Sequence, residues 1–141
     1  MIKRLLLAMT AVSAFLVAAP SAPASAISYP QACSDWRQSG GTELRGCARD
    51  LLNSTVLHEV SVRNLSTQSK KVDLRVQAWV NGQLVRTCTW NDVTLPGSGF
   101  VERSCTTTRI KKYEYRTKAA FRSSVGASQW VNQLTGSLVT G

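Results

Sequence analysis

From Val56 onward, apolar and polar residues alternate with a period of two, the pattern of strands that bury one face. Over 56–63, Val56, His58, Val60 and Val62 face one way and Leu57, Glu59, Ser61 and Arg63 the other. A polar turn region covers 64–69. The alternation then resumes with Val72, Leu74, Val76, Ala78 and Val80 against Lys71, Asp73, Arg75, Gln77 and Trp79. Asn81-Gly82 is the positive-φ dipeptide of a tight hairpin and leads into a strand over 83–90. Further strands follow at about 99–109 and 112–122, the latter with Tyr113, Tyr115, Thr117, Ala119 and Phe121 on one face. Residues 129–134 close the sheet. Six to seven short strands with turn signals between them, and no long amphipathic helix, predict an all-β fold. The expected architecture is an immunoglobulin-like antiparallel β-sandwich, with a small barrel as the alternative.

Residues 27–53 show no such period, because Pro30, Gly40-Gly41 and Gly46 interrupt it. They predict an irregular N-terminal arm with a short helical turn near 47–52, ahead of a β-sandwich domain at 54–141. Residues 1–26 read as a signal peptide: Lys3 and Arg4, an apolar run from Leu5 to Ala19, then Ala24-Ser25-Ala26 as a cleavage motif. That run is short of the ~20 residues that cross a bilayer. Cleavage after Ala26 therefore predicts a secreted, extracellular protein with no transmembrane segment. The remaining chain is one domain, too short to carry a separate cofactor domain.

All four cysteines, Cys33, Cys47, Cys88 and Cys105, lie in the exported part, and an even count in an oxidising compartment predicts two disulfides. Three pairings are open. Leu95-Pro96-Gly97-Ser98-Gly99 is a turn signal, and a reversal centred on Pro96-Gly97 sets Cys88 opposite Cys105 on adjacent antiparallel strands. Cys33–Cys47 then closes an N-terminal disulfide loop, worth ~3 kcal/mol in the loop-entropy account. With no Cys-x-x-Cys pair and His58 as the sole histidine, no zinc or other metal site is expected.

Lys and Arg number 17 against 8 Asp and Glu; losing Lys3 and Arg4 lowers the formal net charge from +9 to +7. Anionic partners follow. Catalytic groups are scarce. Any Ser-His-Asp or Cys-His mechanism must use His58, which alternates with valines as a core residue does. Glu102 and Glu114 could pair as hydrolytic carboxylates, but surrounding cations make surface ion pairs the simpler reading. No nucleophile elbow, phosphate loop or dinucleotide fingerprint occurs. The expectation is a non-enzymatic protein without a cofactor.

Three binding surfaces are candidates. Lys112, Arg116, Lys118 and Arg122 form a basic ridge on one face of their strand, either a contact for an anionic cell-wall polymer or acidic protein, or a solvated edge strand that deters aggregation. Specific nucleic-acid binding is not expected, since the tyrosines of that strand turn inward. A two-residue turn at Asn81-Gly82 places Trp79 opposite Leu84 and Asp73 opposite Trp90, on the face carrying Arg75, Arg86 and Cys88. Trp and Arg are enriched where proteins bind one another; Trp90 packed against the Cys88–Cys105 bridge is the alternative. The N-terminal arm, with Tyr29 and Trp36, is the third.

The exported leader, Cys33-Ser34-Asp35-Trp36, Arg45-Gly46-Cys47, Val62-Arg63-Asn64-Leu65-Ser66 and Ala78-Trp79-Val80-Asn81-Gly82, followed by a later cysteine, resemble small disulfide-bonded secreted proteins of Streptomyces and its relatives. Some of these are the adaptor subunits of secreted antibacterial umbrella toxin particles. The resemblance is one of layout and implies a non-enzymatic module that links other secreted protein partners, with the N-terminal arm as a docking element. Rival expectations are a protease inhibitor presenting the Cys33–Cys47 loop through Arg37 or Arg45, a cell-wall or carbohydrate-binding module with a tryptophan platform, and a small hydrolase dependent on His58.

Overall fold

The alternation from Val56 continues to Asn64, forming the strand β4 (Thr55–Asn64), and its inward valines Val56, Val60 and Val62 are wholly buried. A computed structural model describes residues 27–126 and 128–141; the leader and its cleavage site after Ala26 lie outside the described residues. Ten strands are present among them and no helix, so none is long and apolar enough to cross a membrane. The others are β1 (Gln31–Cys33), β2 (Arg37–Ser39), β3 (Thr42–Asp50), β5 (Lys70–Val80), β6 (Gln83–Leu95), β7 (Phe100–Thr108), β8 (Glu114–Ser123), β9 (Val131–Leu134) and β10 (Leu138–Val139).

They make two antiparallel sheets. The first runs β1-β3-β4-β7, with β2 also on β3; the second runs β10-β8-β5-β6, with β9 also on β8. Leu44, Val60 and Val62 from the first sheet pack against Val72, Leu74, Val76, Leu95, Ala119 and Phe121 from the second. The arrangement is sandwich-like, with the core between the sheets.

The irregular arm expected over 27–53 is replaced by three strands. Nine residues of β3 pair with β4 from Thr42↔Asn64 to Asp50↔Val56, and residues 47–50 are extended rather than helical. Gly46 hid this strand. A Cβ there would lie 2.9 Å from the Ala119 Cβ, so the glycine marks a close approach of the two sheets, not a loop. Gly40 and Gly41, at φ of 54° and 69°, form the tight turn that joins Ser39 to Thr42. The folded unit thus begins near Gln31 rather than at residue 54.

The Asn81-Gly82 hairpin forms as expected, with both residues at positive φ and Trp79 opposite Leu84. A bulge between Ala78 and Trp79 then shifts the register. Arg86 comes opposite Ala78, Cys88 opposite Val76 and Trp90 opposite Leu74 rather than Asp73. A one-residue slip moves a side chain to the other face, so Trp90 packs against the core while Trp79 stays outside. Both disulfides join the expected cysteines, but one does so by a different geometry. Cys33 and Cys47 are direct cross-strand partners, with Cα atoms 4.1 Å apart. Cys88 and Cys105 are not hairpin neighbours: β6 is the edge of the second sheet and β7 the edge of the first, so their bridge ties sheet to sheet at a Cα separation of 6.6 Å. Two disulfides fit an oxidising, non-cytoplasmic compartment.

Between β7 and β8 the chain changes sheets, and Tyr115 holds that corner. Its ring is fully buried, its hydroxyl donates to the Thr108 carbonyl at 2.8 Å and accepts from the Ile110 N–H at 2.8 Å. Replacing Tyr115 by Phe keeps the ring but orphans both backbone groups, at ~1–3 kcal/mol each if they stay dry. We expect Tyr115→Phe to unfold at lower urea concentration with an unchanged β-sheet circular dichroism spectrum; a variant as stable as the parent would show that the hydroxyl does not hold the corner.

Candidate functional site

Pairing alone decides what shares the outer face of the second sheet. Trp79 lies opposite Arg116 on one side and Leu84 on the other; Gln77 lies opposite Lys118, Arg75 opposite Ala120, and Asp73 opposite Arg122. Because opposed residues in an antiparallel pair point the same way, Arg75, Trp79, Arg116, Lys118 and Arg122 converge on one surface. Two separate expectations, the basic ridge and the Trp/Arg face, are therefore one feature.

Trp130, just before β9, completes it. The Arg75 guanidinium lies 4.3 Å and that of Arg122 4.6 Å from its ring centroid, so two cations stack on one indole. Arg122 is anchored by its Nε donating to Asp73 Oδ2 at 2.9 Å. Asp73 in turn accepts from the Asp92 N–H at 3.0 Å and the Ser124 hydroxyl at 2.7 Å. Those two bonds and then Arg122 hold the Asp73 carboxyl below its usual range. Arg75 donates to Asn132 Oδ1 at 3.2 Å, and burial followed by the nearby Arg122 charge pushes its guanidinium down. Arg116 is set by Glu114 at 2.7 Å and Ser137 at 2.8 Å. Lys118 makes no ion pair or hydrogen bond with the described residues. Trp130 is not among the residues that the sequence pattern singles out; the signal available is that a strand over 129–134 sets Trp130 and Asn132 on the same face.

The other candidate residues lie elsewhere. Arg86, turned by the bulge, donates from Nη1 to the Thr106 carbonyl at 2.7 Å across the gap to β7. Lys112 sits in the turn before β8 at a φ of 64°, outside the ridge. Tyr29 precedes β1, and Trp36 lies between β1 and β2 on the outside of the first sheet, under Arg63 at 4.5 Å and Arg45 at 5.8 Å. The ridge is not a solvated edge either, since β8 is flanked by β5 on one side and by β9 and β10 on the other.

Groups weighed for catalysis are dispersed. Glu102 and Glu114 sit in different sheets, on β7 and β8. Arg37 and Arg45 belong to paired strands, so Cys33–Cys47 staples a sheet and presents no projecting loop. His58 is wholly buried, with Nδ1 2.8 Å from the Thr117 hydroxyl and Nε2 2.9 Å from that of Thr107. Thr117 spends its proton on the Cys47 carbonyl at 3.0 Å, so Nδ1–H must donate to Thr117 and Nε2 accept from Thr107. The neutral ring knits β4 to β7 and β8.

Burial pushes His58 down from 6.5 to about 4. The unfolded chain therefore binds one more proton between those values. Stability is full above pH 6.5 and falls by roughly 3 kcal/mol as pH drops toward 4. The lowered carboxyl of Asp73 acts in the same direction but mainly nearer its unfolded value of 3.8, while the Glu59 carboxyl, raised by burial and then by Glu102, acts in the opposite direction above 4.5, so the comparison with the variant isolates the His58 contribution. Urea unfolding from pH 7 to 4 should show this slope in the parent and lose it in His58→Gln; a parallel slope in both would place the titrating group elsewhere. Neither a protein-family model nor a curated protein matches the chain.

Proposed function

We propose that this chain is a secreted, non-enzymatic protein-binding module of immunoglobulin-like topology, which meets an acidic protein partner with the outer face of its second sheet. The reading extends to an adaptor or accessory subunit of an extracellular assembly, such as an antibacterial toxin particle. Immunoglobulin-like topology is supported by the path of the chain: β4 and β5 part into different sheets, β7 returns beside β4, and β8 lies beside β5. The Tyr115 corner, a buried tyrosine bonded back to the backbone just before its strand, is a hallmark of that class.

One observation carries the functional reading. Arg75, Arg116, Lys118 and Arg122 share a single face with Trp79 and Trp130, in a chain that carries a large positive charge. Arg75, Arg116 and Arg122 are held by neighbouring groups rather than free to wander, and Lys118 stands beside them with no partner among the described residues, an arrangement that favours a protein of complementary charge. It suits sugars less well, because both guanidiniums stack on the Trp130 ring that a carbohydrate platform would need bare.

The test is capture on the immobilised mature protein from native culture supernatant at moderate salt, with native mass spectrometry of what elutes. We expect a secreted acidic protein in fixed ratio, and a loss of roughly tenfold or more in affinity for Arg116→Glu/Lys118→Glu, whose fold should be unchanged by circular dichroism. Equal capture by the double variant would remove this face as the interface. Elution of an anionic wall polymer in place of a protein would transfer the face to the cell-wall reading.

A further inference from the structure

A groove of about 750 Å³ opens away from the cationic face, between the start of β6 and the end of β7. Val80, Val85 and Arg86 line it from the second sheet and Thr106, Thr107 and Thr108 from the first. Ile110 and Tyr113 also line it. Val85, Ile110 and Tyr113 are 52%, 45% and 37% exposed, so three large apolar side chains surround one opening.

Both long walls are unpaired strand edges. Among the described residues β6 has a neighbour only in β5, and β7 only in β4. At the opposite side of the molecule the short strands β1, β2, β9 and β10 cover the corresponding flanks. Here the edge is left open, and the β7 carbonyls that turn away from β4 are met by side chains instead: Thr106 by Arg86 at 2.7 Å and Thr108 by Tyr115 at 2.8 Å. Tyr115 is a fixed part of the core. Arg86 is exposed and makes no ion pair with the described residues.

We propose that this groove takes an extended acidic segment of a partner protein, which adds as a strand along the free edge of β7. The segment's backbone N–H takes over the Thr106 carbonyl, and the Thr106 N–H, which points the same way, gains an acceptor. Arg86, released from that carbonyl, pairs with a carboxylate of the incoming strand, while alternate apolar side chains settle against Val85, Ile110 and Tyr113. Charge selects the occupant. The lining contains Arg86 and no carboxylate, and the chain is strongly cationic, so a second copy of it is repelled where an acidic strand is drawn in. This contact is independent of the outer face and stands or falls separately from it.

The probe is a short blocked peptide alternating glutamate and valine, titrated into the disulfide-intact mature protein and followed by amide NMR and hydrogen exchange. Shifts are expected on β6 and β7 with slowed exchange at the Thr106 amide. The same peptide N-methylated at alternate residues, which cannot pair its backbone, should not bind, and a lysine–valine counterpart should not bind either. Arg86→Ala should weaken the acidic peptide by about tenfold, the loss of one charge-assisted hydrogen bond. Three results overturn the proposal: no shifts at millimolar peptide, equal binding of the N-methylated peptide, or shifts centred on Arg116 and Lys118. The peptide comparisons use the unaltered protein, so they decide the matter even if Arg86→Ala disturbs the fold.

Discussion

The close seam between the first sheet and β8 is the constraint on which the remaining geometry depends. At Gly46 the backbone comes so near Ala119 that no side chain fits. Beside it, the chain of bonds from Thr107 through His58 and Thr117 to the Cys47 carbonyl spans β7, β4, β8 and β3. A buried polar network of this kind is costly when incomplete and specific when complete. Here both ring nitrogens of His58 are satisfied, so it fixes register as well as distance. Since side chains alternate strictly along β8, locking Tyr115, Thr117, Ala119 and Phe121 inward aims Arg116, Lys118 and Arg122 outward. The core contact and the cationic face are two sides of one strand.

How much of this was legible in the sequence depends on how purely each strand obeys the period of two. β4, β5 and β8 bury apolar residues at nearly every inward position and were read close to their true bounds. β3 was not, because its buried set includes Thr42, Asp50 and the apposed Gly46, whose roles come from partners far along the chain. Local periodicity carries no trace of such partners. The cysteine pairing was read correctly from a hairpin that does not exist: a turn at 95–99 brings β6 and β7 together, but it carries the chain from one sheet to the other. A short turn and a sheet-crossing corner share the same Pro and Gly residues, so turn chemistry alone does not separate them.

The candidate surface was legible in its composition and not in its assembly. Arg75, Trp79, Arg116, Lys118 and Arg122 were each singled out from the sequence, yet they were assigned to two surfaces, because only the β5–β8 register unites them. Trp130 was passed over since nothing near it in sequence is charged. Its significance comes from Arg75 and Arg122, both distant in sequence and both brought against its ring by strand pairing. The like charges of those two arginines would repel; the indole ring they share, and the Asp73 carboxylate bonded to one of them, offset that cost.

The bulge between Ala78 and Trp79 separates the two proposed contact surfaces. With the regular register of a two-residue hairpin, Arg86 would lie opposite Gln77 and share the outer face with Trp79 and Lys118. One extra residue in β6 carries it opposite Ala78, to the side where the sheets part and it donates to the Thr106 carbonyl. Bulges do this at sheet edges generally: they re-aim a side chain and end regular pairing at one stroke. An adaptor must hold two partners without making them compete for the same groups. Under the proposed adaptor reading, a single-residue irregularity would supply that separation, leaving Arg75, Arg116, Lys118 and Arg122 on the sheet and delivering Arg86 to the open edge.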